Sequence, residues 1–141
     1  MHDDLAKAKR ILQEKGYTCV LYADGVQYHS HLRGVKPLIM FLESKNDFKG
    51  FYAADKTVGA GAAHLYVLLG VKAVWANVVS KSGRDILEQN GIAVFCEKTV
   101  PYIINRAGDG MCPIENAVRD VVCSEQAAAI MKQTLQQLMH Q

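Results

Sequence analysis

Apolar residues recur through the first fifteen positions at helical spacing. Leu5, Ala8, Ile11 and Leu12 share one side among Lys, Asp and Glu, which predicts an amphipathic helix over 2–15 that stops at Gly16. The pattern then becomes β-rich. Residues 17–23 (YTCVLYA) and 26–31 (VQYHSH) flank Asp24-Gly25, a pair that tolerates positive φ at both positions and so marks a tight hairpin. Residues 35–44 (VKPLIMFLES) read as a helix with Pro37 in its first turn, where an N–H is not needed. A short apolar strand over 50–54 (GFYAA) runs into Asp55-Lys56 and a helix of small residues over 57–69, stopped by Gly70.

A second strand-helix pair follows. Residues 72–79 (KAVWANVV) are β-rich, Ser80 is placed to cap a helix over 81–90, and Gly91 is its natural stop. The last strand is expected over 92–96 (IAVFC), then a loop over 97–111 with Pro101, Gly108 and Gly110. Cys112-Pro113 opens a short helix, and an Ala/Gln-rich helix covers 124–139. Strands that alternate with helices imply a sheet that is partly parallel and covered on both faces. The expected fold is an α/β, three-layer α/β/α sandwich, with a mixed five-stranded sheet whose antiparallel edge is the N-terminal hairpin.

Composition narrows the classes. The chain has 141 residues, within the range of a single domain, and half of it is hydrophobic. Lys and Arg number 16 against 14 Asp and Glu, a net charge of +2, which argues against a nucleic-acid binder that relies on bulk charge. No apolar run approaches a membrane span, and MHDDLAKAKR lacks the apolar core of a signal peptide. Cys19, Cys96, Cys112 and Cys123 form no C-x-x-C, so reduced thiols in the cytoplasm are expected.

In a sheet of this kind ligands bind beyond the carboxyl ends of the parallel strands, where helix N-termini converge. Two such junctions are read here, Ala54-Asp55-Lys56-Thr57 and Val79-Ser80-Lys81-Ser82. Each offers backbone N–H groups, a small polar side chain and a lysine, a set suited to phosphate. Asp55 and Ser80 also have the simpler reading of helix caps. Gly59-Ala60-Gly61 departs from a dinucleotide fingerprint, since His64 stands where the third glycine belongs. These glycines read better as letting a helix pack closely, and His64 as a core residue.

The densest chemistry lies in TVPYIINRAGDGMCPIENAV, residues 99–118. Asn105, Arg106, Asp109, Cys112 and Glu115 fall within 11 residues, with glycines between them. Arg106 could clamp a carboxylate or phosphate. A helix start favours thiolate at Cys112, whereas Glu115, at the spacing of a capping box, opposes it. His29 and His31 share a strand face but have no further ligand in sequence, so no metal is expected.

Gly34-Val35-Lys36-Pro37-Leu38, Ala54-Asp55-Lys56-Thr57-Val58-Gly59 and Val100 to Arg106 with Gly110 to Glu115 together resemble a small prokaryotic family of unknown function. The resemblance runs from about residue 17 to residue 120. It implies a cytidine-deaminase-like fold, in agreement with the element order, and brings no activity with it. Zinc deaminases need H-x-E or C-x-E at one helix start and P-C-x-x-C at the next. Here those places read Asp55-Lys56-Thr57 and Ser80-Lys81-Ser82-Gly83, so zinc-dependent deamination is not expected.

Three functions compete on this basis. The first is binding of a nucleotide or similar phosphorylated small molecule, without zinc or other cofactor. Asp55, Lys56, Thr57 and Ser80 would form its floor, with Asn105, Arg106, Asp109, Cys112 and Glu115 above. The second is an enzyme with Cys112 as nucleophile and Asp55 or Glu115 as acid or base. The third is an interaction domain, a homo-oligomer included, for which the apolar stripe Ala127, Ile130, Met131, Thr134, Leu135 and Leu138 would serve.

Overall fold

A computed structural model describes residues 1–139. The first helix, α1 (Asp3–Lys15), buries Leu5, Ala8 and Leu12, and Gly16 ends it in the left-handed region at φ 68°. β1 (Cys19–Ala23) and β2 (Val26–Ser30) form the predicted hairpin, with Asp24 at φ 46° and Gly25 at φ 82°. Next come α2 (Lys36–Glu43), β3 (Tyr52–Val58), α3 (Ala60–Leu69), β4 (Ala73–Ser80) and α4 (Lys81–Gln89). β5 (Ala93–Val100), α5 (Pro113–Val118) and α6 (Ser124–Met139) complete the order.

The five strands make one sheet in the order β2-β1-β3-β4-β5. β1 pairs antiparallel with β2 and with β3, whereas β3, β4 and β5 run parallel. This is the mixed five-stranded sheet, inside an α/β/α sandwich, that the pattern predicts. One face is covered by α1, through Leu5, Ala8 and Leu12 against Val20, Tyr52, Ala54 and Trp75. The other carries the larger core, where Leu38, Leu65, Tyr66, Leu87 and Met131 of the helices meet Leu21, Ala53, Val74 and Ala76. On α6, Ala127 and Met131 are buried and Ile130 and Leu135 half-buried, while Leu138 stays exposed.

Two strands are longer than expected. β3 does not stop at Ala54 but continues through Asp55, Lys56 and Thr57 to Val58, so helix α3 begins at Ala60 rather than at 57. β5 continues from Cys96 through Glu97, Lys98 and Thr99 to Val100. In both, polar residues read as strand ends are held by the neighbouring strand: Cys19 pairs with Asp55, Thr57 with Val78, and Lys98 with Val78 from the other side. Ladder hydrogen bonds, not side-chain polarity, set those lengths.

Candidate functional site

The parallel strands end side by side, with Val58 paired to Val79 and Ser80 to Val100. α3 starts two residues after β3, with Gly59 as its N-cap, and α4 starts directly after Ser80. Two helix N-termini therefore meet beyond the strand ends, and backbone donors with partial positive charge collect there. Gly83 makes this approach feasible: a Cβ on it would lie 2.9 Å from the Gly59 carbonyl oxygen.

Glu115 fills this junction. Its side chain is only 2% exposed. Oε1 accepts hydrogen bonds from the Ala60 N–H (3.0 Å) and the Ser80 hydroxyl (2.9 Å), and Oε2 accepts from the Ile103 N–H (3.1 Å). Ser80 Oγ in turn accepts from the Gly83 N–H at 3.0 Å, so Ser80 is the predicted cap of α4 as well. Gly59 makes the room, since a Cβ there would fall 2.5 Å from Glu115 Oε2 and 2.9 Å from Ile103 Cγ1. Gly61 does the same for Ile114 and Met131. The Gly59-Ala60-Gly61 run thus admits α5 and α6, rather than bringing α3 close to the sheet. The expected capping box between Cys112 and Glu115 is absent. Glu115 satisfies α3, a helix 55 residues away in sequence, and Cys112 makes no side-chain cap bond.

Asp55 is a strand residue, not a helix cap. It is 8% exposed, accepts from the Tyr66 hydroxyl at 2.6 Å, and takes a longer bond from the Thr57 N–H at 3.3 Å. Burial pushes its carboxyl up to about 7, against the opposing hydrogen bonds from the Tyr66 hydroxyl and the Thr57 amide. The Tyr66 hydroxyl also lies 3.3 Å from Cys19 Sγ. Burial first, and the Asp55 charge second, hold the Cys19 thiol and the Tyr66 phenol well above their ordinary values. Cys19 is accordingly a poor nucleophile. His64 is buried in the core as expected, with Nδ1 3.0 Å from Ser124 Oγ, and burial lowers its pKa.

The polar loop is bound up in its own turn. Asn105 Oδ1 accepts from the Gly108 and Asp109 amides (2.8 and 3.2 Å), and its Nδ2 donates to Asp109 at 2.9 Å. An isolated bridge joins Ile104 to Met111, and the Cys112 N–H donates to the Ile103 carbonyl at 2.8 Å. Asn105 and Asp109 therefore shape the loop. Lys56 and Arg106 are exposed, and Cys112 packs half-buried against the core.

Of the residues nominated in sequence, the structure joins Ser80 directly to Glu115, sets Asp55 apart with Tyr66 and Cys19, and leaves Thr57 at a groove. That groove, about 400 Å³, lies over the strand ends and is lined by Thr57, Val78, Val100 and the segment Pro101 to Ile104. Tyr102 and Ile104 stand 39% and 61% exposed. The sequence nominates only the polar and reactive residues of this loop as ligand contacts and uses Tyr102-Ile103-Ile104 for the family resemblance alone; in the structure that apolar run lines the groove. A second hollow of similar size, beside α4, is lined by charges that pair with one another, Lys81 with Asp85 at 3.1 Å and Arg119 with Asp120 at 3.8 Å. Among the described residues, no three His, Cys, Asp or Glu side chains are grouped to hold a metal ion. No described helix is long and apolar enough to cross a membrane.

Fold and site define an α/β/α sandwich whose convergent helix N-termini are closed by a carboxylate of the same chain. The chain belongs to the TM1506 family, a domain of unknown function (DUF1893), whose profile matches residues 7–135. The crystal structure of a DUF1893 family protein from Thermotoga maritima has the same fold, with a TM-score of 0.85 and 23% identity over 97% of this chain and 91% of that one. Two structures of a dCMP deaminase from cyanophage S-TIM5 are similar at a TM-score of 0.45 each. The apo form is 16% identical, over 69% of this chain and 94% of its own. The complex with dCMP and dUMP is 14% identical, over 65% and 92%. No curated protein matches the chain.

Proposed function

We propose that this protein binds a small planar molecule of about nucleoside size, through apolar contact rather than through a phosphate. The observation that carries the reading is the apolar groove at the carboxyl ends of β3, β4 and β5, where ligands of open α/β sheets sit. Its volume of about 400 Å³ suits a ligand of that size. Tyr102 and Ile104 offer flat apolar surface, and the Thr57 hydroxyl offers one polar handle. The phosphorylated ligand expected from the sequence has less support, because the Ala60 amide and Ser80 hydroxyl that would receive an anion already hold Glu115. Among the described residues no base is bonded to Cys112, and the groove supports a binding module better than catalysis by that thiol.

A thermal-shift series on the full chain tests this, with uncharged nucleosides and planar heteroaromatic bases set beside their phosphorylated forms. Uncharged nucleosides should raise Tm with saturation. Phosphate should add nothing, and Ile104→Asp should abolish the shift. Absence of stabilisation by every uncharged probe, or stabilisation that needs phosphate and survives Ile104→Asp, would overturn the reading.

A further inference from the structure

The groove wall is not free-standing. Pro101, Tyr102, Ile103 and Ile104 follow directly on β5, and at this wall the backbone is held from two sides at Ile103. Its carbonyl accepts from the Cys112 N–H at 2.8 Å, and its N–H donates to Glu115 Oε2 at 3.1 Å. The same carboxylate is anchored through Oε1 to the start of α3 and to the cap of α4. A glycine at position 59 leaves the space in which Oε2 and the Ile103 side chain meet. We propose that Glu115 is the positioning residue of the groove. It fixes the 101–104 wall to the strand ends, and so sets the width of the site above.

This inference rests on the groove being the ligand site, but its mechanical half can be measured without a ligand. The two carboxylate oxygens do different work, and Glu115→Gln separates them. The glutamine carbonyl can keep the Oε1 position and accept from Ala60 and Ser80. Its NH2 group then faces the Ile103 N–H, donor against donor. The helix caps survive and the wall is released. Glu115→Ala removes both sets of contacts and leaves a carboxylate-sized space, which added formate can enter.

The experiment is residue-resolved hydrogen exchange on the full chain, with nucleoside affinity measured in parallel. In Glu115→Gln the Ile103 amide should exchange about tenfold faster or more, the loss of a charge-assisted bond, while amides in β3 and β4 keep their protection. Nucleoside affinity should fall by a similar factor. In Glu115→Ala, formate should restore protection at Ile103. If that variant does not fold, Glu115→Gln decides alone. Unchanged exchange at Ile103, or equal acceleration of every amide, would overturn the latch. Equal nucleoside affinity in wild type and Glu115→Gln would overturn the positioning role while the groove reading stands. If the wild type binds no nucleoside, the groove reading fails, and exchange at Ile103 still decides whether Glu115 holds the wall.

Discussion

Among the described residues two carboxylates lie buried, Glu115 and Asp55, and their surroundings differ. Glu115 sits where two helices begin and receives three donors, two of them backbone amides. Asp55 sits within a strand and has one short bond, from Tyr66, and one long bond, from Thr57. The contrast shows that burial depth does not decide what a buried acid does. The supply of donors does. A carboxylate at helix N-termini replaces its lost water with fixed N–H groups and dipoles. One in mid-strand has most nearby backbone donors committed to the ladder, so desolvation dominates and its pKa rises. The first arrangement organises neighbouring elements. The second stores a pH dependence.

That difference can be tested from the Asp55 side, where the largest effect is expected. Asp55 titrates near 3.8 in an ordinary setting and near 7 here. Between those values the folded chain holds a proton that the unfolded chain has released. The Asp55 contribution to stability should therefore be full below about pH 4, fall as pH rises, and be lost above about 7, by on the order of a few kcal/mol. Urea denaturation across this range reads it directly. Asp55→Asn should flatten the slope, and Tyr66→Phe, which removes an opposing hydrogen bond, should carry the fall to higher pH. A slope unchanged in Asp55→Asn would remove Asp55 as its source.

The next effect probes the fit around Glu115. Gly59→Ala places a Cβ 2.5 Å from Oε2, and it can be accommodated only by displacing a hydrogen-bonded carboxylate or Ile103. A loss of about 2 kcal/mol is expected, seen as a lower urea midpoint with an unchanged m-value. A neutral result would mean that the junction is looser than its geometry implies. The smallest effect is at the loop tip. Asn105→Ala removes bonds to Gly108 and Asp109 at an exposed turn, and should cost about 1 kcal/mol or less while raising proteolytic nicking near Arg106. A larger loss would mean that the tip supports the junction below.

Much of the fold was written in local chemistry. Asp24-Gly25 specified the hairpin because both residues accept positive φ, and both adopt it. Gly16 and Gly70 end their helices in the left-handed region, and Ser80 caps α4 through Gly83, all interactions within a few residues. The strand and helix order followed from periodicity, and the mixed sheet from that order. Local reasoning failed where a polar residue's partner lay on another element. Asp55-Lys56-Thr57 looked like a junction because charge usually ends a buried strand, yet Tyr66 reaches across from α3 to Asp55, and β1 and β4 hold the backbone.

The candidate site was legible in part for the same reason. The sequence named Ser80 and Glu115 separately, and identified the strand ends as the place to look. Their union belongs to the tertiary structure, because the donors to Glu115 come from positions 60, 80 and 103, separated from it by 55, 35 and 12 residues. Hydrogen-bond supply at a helix start can be read from neighbours in sequence. Which acid consumes that supply depends on packing, since only the folded chain brings α5 over the ends of β3 and β4. By itself the sequence determined the elements, their order and the groups available for chemistry. The tertiary structure alone decided that Glu115 of the same chain meets the two helix starts, with an apolar groove beside them.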